Sequence, residues 1–167
     1  MSNAQVTDQQ TQDVRGVLIQ IAGGRLLLPN ATIAEVMSYA DPEPIANTPD
    51  WMLGRIRWRG WQVPLIAFAR LSGIASGEAG GLGSKVIVLK ALGGDAKAPY
   101  FAMLTQGFPR LVTVSRETVV TDAGDPDEAM PEGVQARVLL NEDHALLPDL
   151  ERVETMIGEA LKSASAA

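Results

Sequence analysis

The chain has 167 residues, of which 46% are apolar and 20% charged, with a net charge of −6 and no cysteine. This length matches one ordinary domain, which buries roughly 70% of its unfolded surface and forms a core without metals or disulfides. The lack of cysteine excludes disulfides, thiol nucleophiles and thiolate metal sites, and it fits a reducing compartment. Because nucleic-acid binding needs a positive field, the acidic balance predicts no nucleic-acid partner.

No stretch of the sequence is suited to crossing a membrane or to directing export. Apolar runs stay well short of the roughly 20 residues that a membrane-spanning helix needs. Residues 1–13 contain no basic region followed by an apolar segment, so they do not resemble a secretion signal. We therefore predict a cytoplasmic protein without direct membrane insertion. It is expected to have a disordered tail (residues 1–13), one domain (14–162) and a C-terminal tail (163–167).

The first half of the chain predicts two β-hairpins with a short helical segment between them. Over residues 31–37, the spacing of Ile33, Val36 and Met37 predicts one or two helical turns. Pro64 indicates an edge or an irregularity in the second hairpin. Strands are predicted at residues 14–22, 25–28, 51–58 and 61–68, with turns at Gly23-Gly24 and Arg59-Gly60.

The second half predicts further short strands and one closing helix. Residues 72–84 hold five glycines and only one charge, Glu78, and predict a flexible loop; the acidic residues 122–133 predict another surface loop. Asp149 is expected to cap the helix, and its apolar positions recur at helical spacing (Leu150, Val153, Ile157 and Leu161). Strands are predicted at residues 85–92, 100–105, 111–114, 118–120, 134–140 and 145–147. About ten short strands indicate a closed or sandwiched, mainly β architecture.

The sequence holds no pattern typical of a catalytic or metal site. The single histidine, His144, follows two acidic residues in a predicted turn and has no spaced partners. Ser84 and Ser115 lack a nucleophile-elbow pattern. Residues 80–85 lack phosphate-loop spacing and precede a strand, and residues 125–128 lack the spaced carboxylates of a calcium loop. We predict a non-enzyme without cofactor or metal.

A stripe of arginines occupies the second predicted hairpin. In a strand, residues two apart share a face, so the three guanidiniums project to one side. This face is either solvated, or engages an acidic protein surface, or binds nucleic acid beside the tryptophans, and the net charge disfavours the last. Glu35 lies in an otherwise apolar stretch, and a Glu35–Arg59 pair is predicted because an unpaired buried charge is costly. The arginines are Arg55, Arg57 and Arg59, alternating with Ile56 and Trp58.

One segment, residues 45–71, resembles the signature of the CheW-like chemotaxis adaptors. The resemblance rests on Ile45-Ala46-Asn47-Thr48-Pro49-Asp50-Trp51-Met52-Leu53-Gly54, then Arg59-Gly60, then Val63-Pro64-Leu65-Ile66. The order of elements is similar from about residue 14 to residue 161. The resemblance implies two packed five-stranded SH3-like β-barrels with a C-terminal helix. It also implies a non-catalytic scaffold that couples methyl-accepting chemoreceptor signalling tips to a CheA-type histidine kinase.

The resemblance further implies a set of protein-binding residues. These are Ile33, Glu35, Val36, Arg57, Trp58, Arg59, Gly60, Leu104 and Phe108. Three departures from the family pattern suggest an altered partner face and a paralogue that serves a second array, such as one for pilus-based twitching motility. Arg57-Trp58 replaces Asn-Leu, Ala67-Phe68-Ala69 replaces Asp-Leu-Arg, and Gln106 replaces Asp. The alternative function is a small-ligand-binding β-barrel outside chemosensory signalling.

Overall fold

The computed structural model describes residues 13–78, 80–121 and 129–166. It contains eleven strands, a 3₁₀ turn at Asn30–Thr32, a short helix α1 (Phe68–Ser72) and a long helix α2 (Leu150–Ala166). The strands are β1 (Val14–Ile21), β2 (Gly24–Pro29), β3 (Ile33–Ser38), β4 (Met52–Trp58), β5 (Trp61–Ile66), β6 (Lys85–Lys90), β7 (Tyr100–Thr105), β8 (Arg110–Val114), β9 (Val119–Thr121), β10 (Val134–Leu140) and β11 (Asp143–Pro148). Residues 122–128, which are most of the predicted acidic loop, lie outside the described residues. Residues 1–12 of the predicted tail do so as well.

The strands form two sheets that pack on each other. One sheet has six strands in the order β8-β1-β2-β11-β10-β9, and the other has five in the order β3-β6-β7-β5-β4. The prediction of a mainly β fold with a C-terminal helix is confirmed, although the sheets hold six and five strands rather than five each. The shared core between the sheets also receives α2, through Leu150, Val153 and Ile157.

Each sheet also buries a second, separate core on its other face. In the six-stranded sheet Leu18 and Leu27 belong to this second cluster, whereas their chain neighbours face the shared core. In the five-stranded sheet Val86 and Val88 belong to the corresponding second cluster. A flat layer would leave that face in water, so burial on both faces indicates that each sheet curls around its own cluster. Closure into SH3-like barrels stays a prediction.

The prediction of helical turns over residues 31–37 is wrong, except for the 3₁₀ turn that ends at Thr32. Residues from Ile33 onward form strand β3, which pairs with β6. A register shift between Ile33 and Glu35 adds one residue to the strand. Ile33 and Val36 therefore face the shared core together, although a regular strand would place them on opposite faces. That bulge produces an i, i+3 apolar spacing, which is also typical of a helix and explains the wrong prediction.

Helix α2 begins as the sequence predicts. The Asp149 carboxylate accepts a hydrogen bond from the backbone N–H of Arg152 at 3.1 Å, which caps the first turn. The apolar stripe faces the shared core, as expected from its helical spacing. The helix continues to Ala166, four residues beyond the predicted end of the domain. No helix within the described ranges is both long and apolar enough to cross a membrane.

The glycine-rich segment between α1 and β6 is held to both sheets by one carboxylate. Glu78 is only 3% exposed. Its Oε2 accepts a hydrogen bond from the backbone N–H of Ala22, beside the β1–β2 turn, at 2.7 Å, and another from Nε2 of Gln106, which follows β7, at 3.2 Å. The only charge of the predicted flexible loop is therefore an anchor that joins the six-stranded sheet to the five-stranded one.

Candidate functional site

The β4–β5 turn presents Arg59 in a backbone conformation that only few residues adopt without cost. Trp58 pairs with Trp61, so the turn consists of Arg59 and Gly60 alone. Their φ angles are 49° and 81°, the left-handed values that a tight two-residue hairpin turn requires. Glycine accepts such values freely, whereas an arginine there is held against its steric preference. An observed departure of this kind points to a role for the Arg59 side chain.

Glu35 links the two outermost strands of the five-stranded sheet. Its Oε2 accepts a hydrogen bond from the Trp58 indole N–H at 3.0 Å, and its Oε1 pairs with the Arg59 guanidinium at 3.0 Å. Glu35 belongs to β3 and Trp58 ends β4, which stand at opposite edges of the sheet. These contacts require the sheet to curl until its edges meet, so Glu35, Trp58 and Arg59 together form a latch across the gap.

The predicted Glu35–Arg59 pair is confirmed, but the pair lies at the surface and not in a buried position. The side chains are 39% and 65% exposed respectively. The Arg59 guanidinium also lies over the Trp58 ring, 4.8 Å from its centroid, and Trp58 packs edge-on against Tyr100 at 4.7 Å. Arg59 is thus positioned at the surface by an acidic and an aromatic neighbour, with much of its charge still accessible to a partner.

The latch leads to a stability prediction that separates its two arms. Arg59→Ala removes an exposed ion pair and should reduce the free energy of unfolding by about 1 kcal/mol or less. Glu35→Ala also leaves the indole N–H of Trp58, which is 5% exposed, without its acceptor, and should cost about 1–3 kcal/mol. Urea denaturation measures both. Glu35→Gln, which keeps an acceptor for the indole, should fall between them, and equal losses for the two alanine variants would contradict the latch.

Four apolar side chains on edge strands or in a turn are only partly covered. Ile33 and Val36 on β3 are half-buried against that core. On β8, Leu111 pairs with Val17, which faces the same core, yet Leu111 is 62% exposed because β8 is an edge strand. Phe108, between β7 and β8, is 76% exposed. We name Ile33, Val36, Phe108 and Leu111 the apolar strip.

Lysine and glycine neighbours hold Phe108 in its exposed position. The Lys85 ammonium lies over its ring, 4.4 Å from the centroid. Gly107 has a φ of 153°, and its carbonyl accepts a hydrogen bond from the Thr105 hydroxyl at 2.8 Å. A large aromatic side chain that is fixed and yet left in water is typical of an interaction site.

The structure does not place every predicted binding residue at the surface. Leu104 is 0% exposed within β7, so its role is in the core and its prediction as a direct contact is corrected. Trp58 is buried as well, with the Arg59 guanidinium over its ring. Arg57 and Gly60 are exposed, as a contact residue must be.

Two of the departures from the family pattern also turn out to be changes inside the protein. Ala67, Phe68 and Ala69 are all 0% exposed, so they alter the core and not a partner face. Trp58 fills the inner cluster of the five-stranded sheet. Arg57 is therefore the departure in the signature turn that changes the surface.

Sequence reasoning missed Leu111 and Trp61 as surface residues. Trp61 is 40% exposed beside Tyr100, with ring centroids 6.1 Å apart. An apolar residue in a predicted strand carries no signal of exposure unless the edge position of that strand is known. For Trp61, the position directly after a two-residue turn is a signal of exposure that the sequence does contain.

Two titratable groups of the described residues have shifted pKa values, and neither belongs to the latch or the strip. Burial, and then a hydrogen bond to Asp41, raises the pKa of Tyr39. A hydrogen bond to Glu132 raises the pKa of Arg152. Both groups stay protonated at neutral pH. Within the described ranges, no three acidic or histidine side chains converge as a metal site would require.

Comparisons with known proteins agree with this geometry. The family model described as "CheW-like domain" matches residues 15–156. The scaffolding protein TtCheW from Thermoanaerobacter tengcongensis, known from a crystal structure, is 18% identical; the alignment covers 82% of this chain and 84% of that one, with a TM-score of 0.66. No curated protein matches the sequence. Since the family model spans most of its length, the chain belongs to the CheW-like domain family.

Proposed function

We propose that this protein couples the signalling tips of methyl-accepting chemoreceptors to a CheA-type histidine kinase in the cytoplasm. Membership of the CheW-like family supports a chemosensory adaptor role, and members of this family are non-catalytic scaffolds. The expectation of a non-enzyme follows from the same membership. The observation that carries the choice of partner is the apolar strip, in which Phe108 is 76% exposed.

The strip suits a helical partner. Its residues come from edge strands β3 and β8 and from the turn before β8, and Ile33 and Val36 pack against the shared core. A helix with apolar residues on one face binds such a surface, and charged groups at the rim fix its orientation. Receptor signalling tips are helical hairpins, so the strip is the proposed receptor contact and Glu35 and Arg59 are its rim.

The proposed kinase contact uses the exposed parts of the β4–β5 turn. Arg57, Arg59 and Gly60 are accessible there, and Gly60 has no neighbouring atom within 4 Å of where a side chain would begin. Arg57 in place of the family's asparagine adds a charge at this point. A kinase partner with a matching acidic residue follows from that charge, and we propose an array for pilus-based motility as the setting.

Reconstitution tests the proposal. The purified chain is mixed with a chemoreceptor signalling hairpin and a CheA-type kinase from the same genome, and complexes are separated by size-exclusion chromatography. We expect a ternary complex, with faster kinase autophosphorylation than either pair gives. If neither partner is retained, the adaptor role is wrong. A thermal shift with metabolites in place of these proteins would favour the small-ligand β-barrel instead.

A further inference from the structure

Two arginines of β4 have no ionic partner in the part of the chain that the structure describes. Arg55 and Arg57 alternate along the strand, so their side chains share the face that the latch does not use. Arg55 is half-buried and Arg57 exposed. The ion pairs within the described ranges involve other arginines. An unpaired guanidinium that is partly removed from water is unfavourable, so an acidic partner for this face would be stabilising.

This face opens into a groove beside helix α2. The groove has a volume of about 640 Å³ and lies between the β4–β5 hairpin, the β6–β7 connection and the helix. A second recess of about 360 Å³ at the hairpin turn shares Trp61 and Gln62 with it. The two recesses therefore adjoin at Trp61, with Arg55 lining the larger and Arg57 the smaller. The apolar part of the larger lining includes Trp61, Pro64, Pro99 and Leu161.

The two acidic residues that line the groove accept hydrogen bonds from backbone N–H groups. Both carboxylate oxygens of Glu154 accept backbone N–H bonds, from Leu92 and from Gly93, each at 3.0 Å. Asp95 accepts the backbone N–H of Lys97 at 2.9 Å. The Lys97 ammonium adds a third positive charge to the lining. Over the two recesses, Arg55, Arg57 and Lys97 outnumber the carboxylates of Asp95 and Glu154 by one, and both carboxylates are turned toward backbone N–H groups.

We propose that this groove docks an acidic segment of a partner protein. Carboxylates of the segment pair with Arg55 and Arg57, and an aliphatic side chain between them packs on Trp61 and Pro64. Forked guanidinium–carboxylate bonds supply orientation, and the apolar groove supplies the buried surface. None of the residues of the apolar strip takes part, so this docking face is separate from the proposed receptor contact. It shares Arg57 with the proposed kinase contact and in that respect rests on the proposed function.

Fluorescence anisotropy with a labelled ten-residue peptide of alternating Glu and Leu tests this proposal. We expect saturable binding that weakens about tenfold or more in Arg55→Glu and in Arg57→Glu, and that falls as salt is raised. Trp61→Ala should weaken it as well. Arg15→Glu, an exposed arginine of β1 in the other sheet, is the matched control and should bind like the wild type.

Three outcomes would overturn the proposal. The first is unchanged binding in both β4 variants once thermal melts show that they are folded. The second is an equal loss in Arg15→Glu, which would indicate a general charge effect. The third is equal binding of a Lys-Leu peptide, which would indicate apolar association alone. All variants keep the apolar strip, so receptor binding in the same variants reports separately on the proposed adaptor function.

Discussion

Phe108→Glu is expected to lower the affinity for a chemoreceptor signalling hairpin roughly tenfold to a hundredfold, with little change in thermal stability. Phe108 is 76% exposed, so its ring contributes little to folding. If the strip binds the receptor, that ring becomes buried in the complex, and a carboxylate there would be desolvated without a partner. Pull-down of the hairpin, quantified by titration, measures the loss.

Two further variants give this prediction its controls. Phe108→Leu keeps an apolar side chain and should retain most of the affinity. Leu92→Glu places the same charge on a residue that is 58% exposed, just beyond the end of β6 opposite Lys85. It should bind normally. If Phe108→Glu binds as tightly as Leu92→Glu does, the strip is not the receptor contact.

Gly54→Ala should produce the largest loss of stability, about 3 kcal/mol or more. Gly54 has a φ of 144°, which side-chain-bearing residues rarely adopt. An added Cβ would also lie closer to the carbonyl oxygen of Glu43 than van der Waals contact allows. That carbonyl cannot move freely, since it accepts the N–H of Arg55 at 2.8 Å while Glu43 donates back at 2.9 Å.

Gly60→Ala separates the two causes of this loss. Gly60 also has a positive φ, 81°, but an added Cβ would meet no atom within 4 Å. Its cost is the backbone conformation alone, about 1–2 kcal/mol. Urea denaturation of both variants should therefore show the larger loss for Gly54→Ala. Equal losses would mean that the Glu43 segment yields, and that the signature glycine is required only for its φ angle.

The sequence predicts the regular parts of this fold well because their signals are local. Alternating apolar residues and two-residue turns give both hairpins of the first half, and Asp149 with its apolar repeat gives α2. The first turn consists of Ala22 and Gly23, one residue before the predicted Gly23-Gly24. Pro64 also fits its prediction, since parallel pairing of β5 with β7 begins only at Leu65. Strand β3 was missed because its bulge converts a two-residue period into a three-residue one.

The candidate site depends more strongly on contacts between distant residues. The Glu35–Arg59 pair could be predicted because an isolated acidic residue in an apolar stretch demands a partner. Its exposure could not be predicted, since that depends on how far the sheet curls. Glu78 was assigned to a flexible loop because its partners Ala22 and Gln106 lie 56 and 28 residues away. The burial of Ala67 to Ala69 likewise follows from packing that no local pattern reports.

The Glu78 anchor ties together two positions that sequence comparison treats as independent. Gln106 stands where the family's aspartate is expected, and its amide donates to Glu78 at 3.2 Å. An aspartate there would set a second carboxylate against that of Glu78, which is itself almost closed to water. A glutamate at 78 therefore disfavours an aspartate at 106, and an acidic residue at 106 is better accommodated when residue 78 changes too. Grafting a relative's 106–108 segment onto this chain should therefore lower its stability unless Glu78 is replaced in the same step.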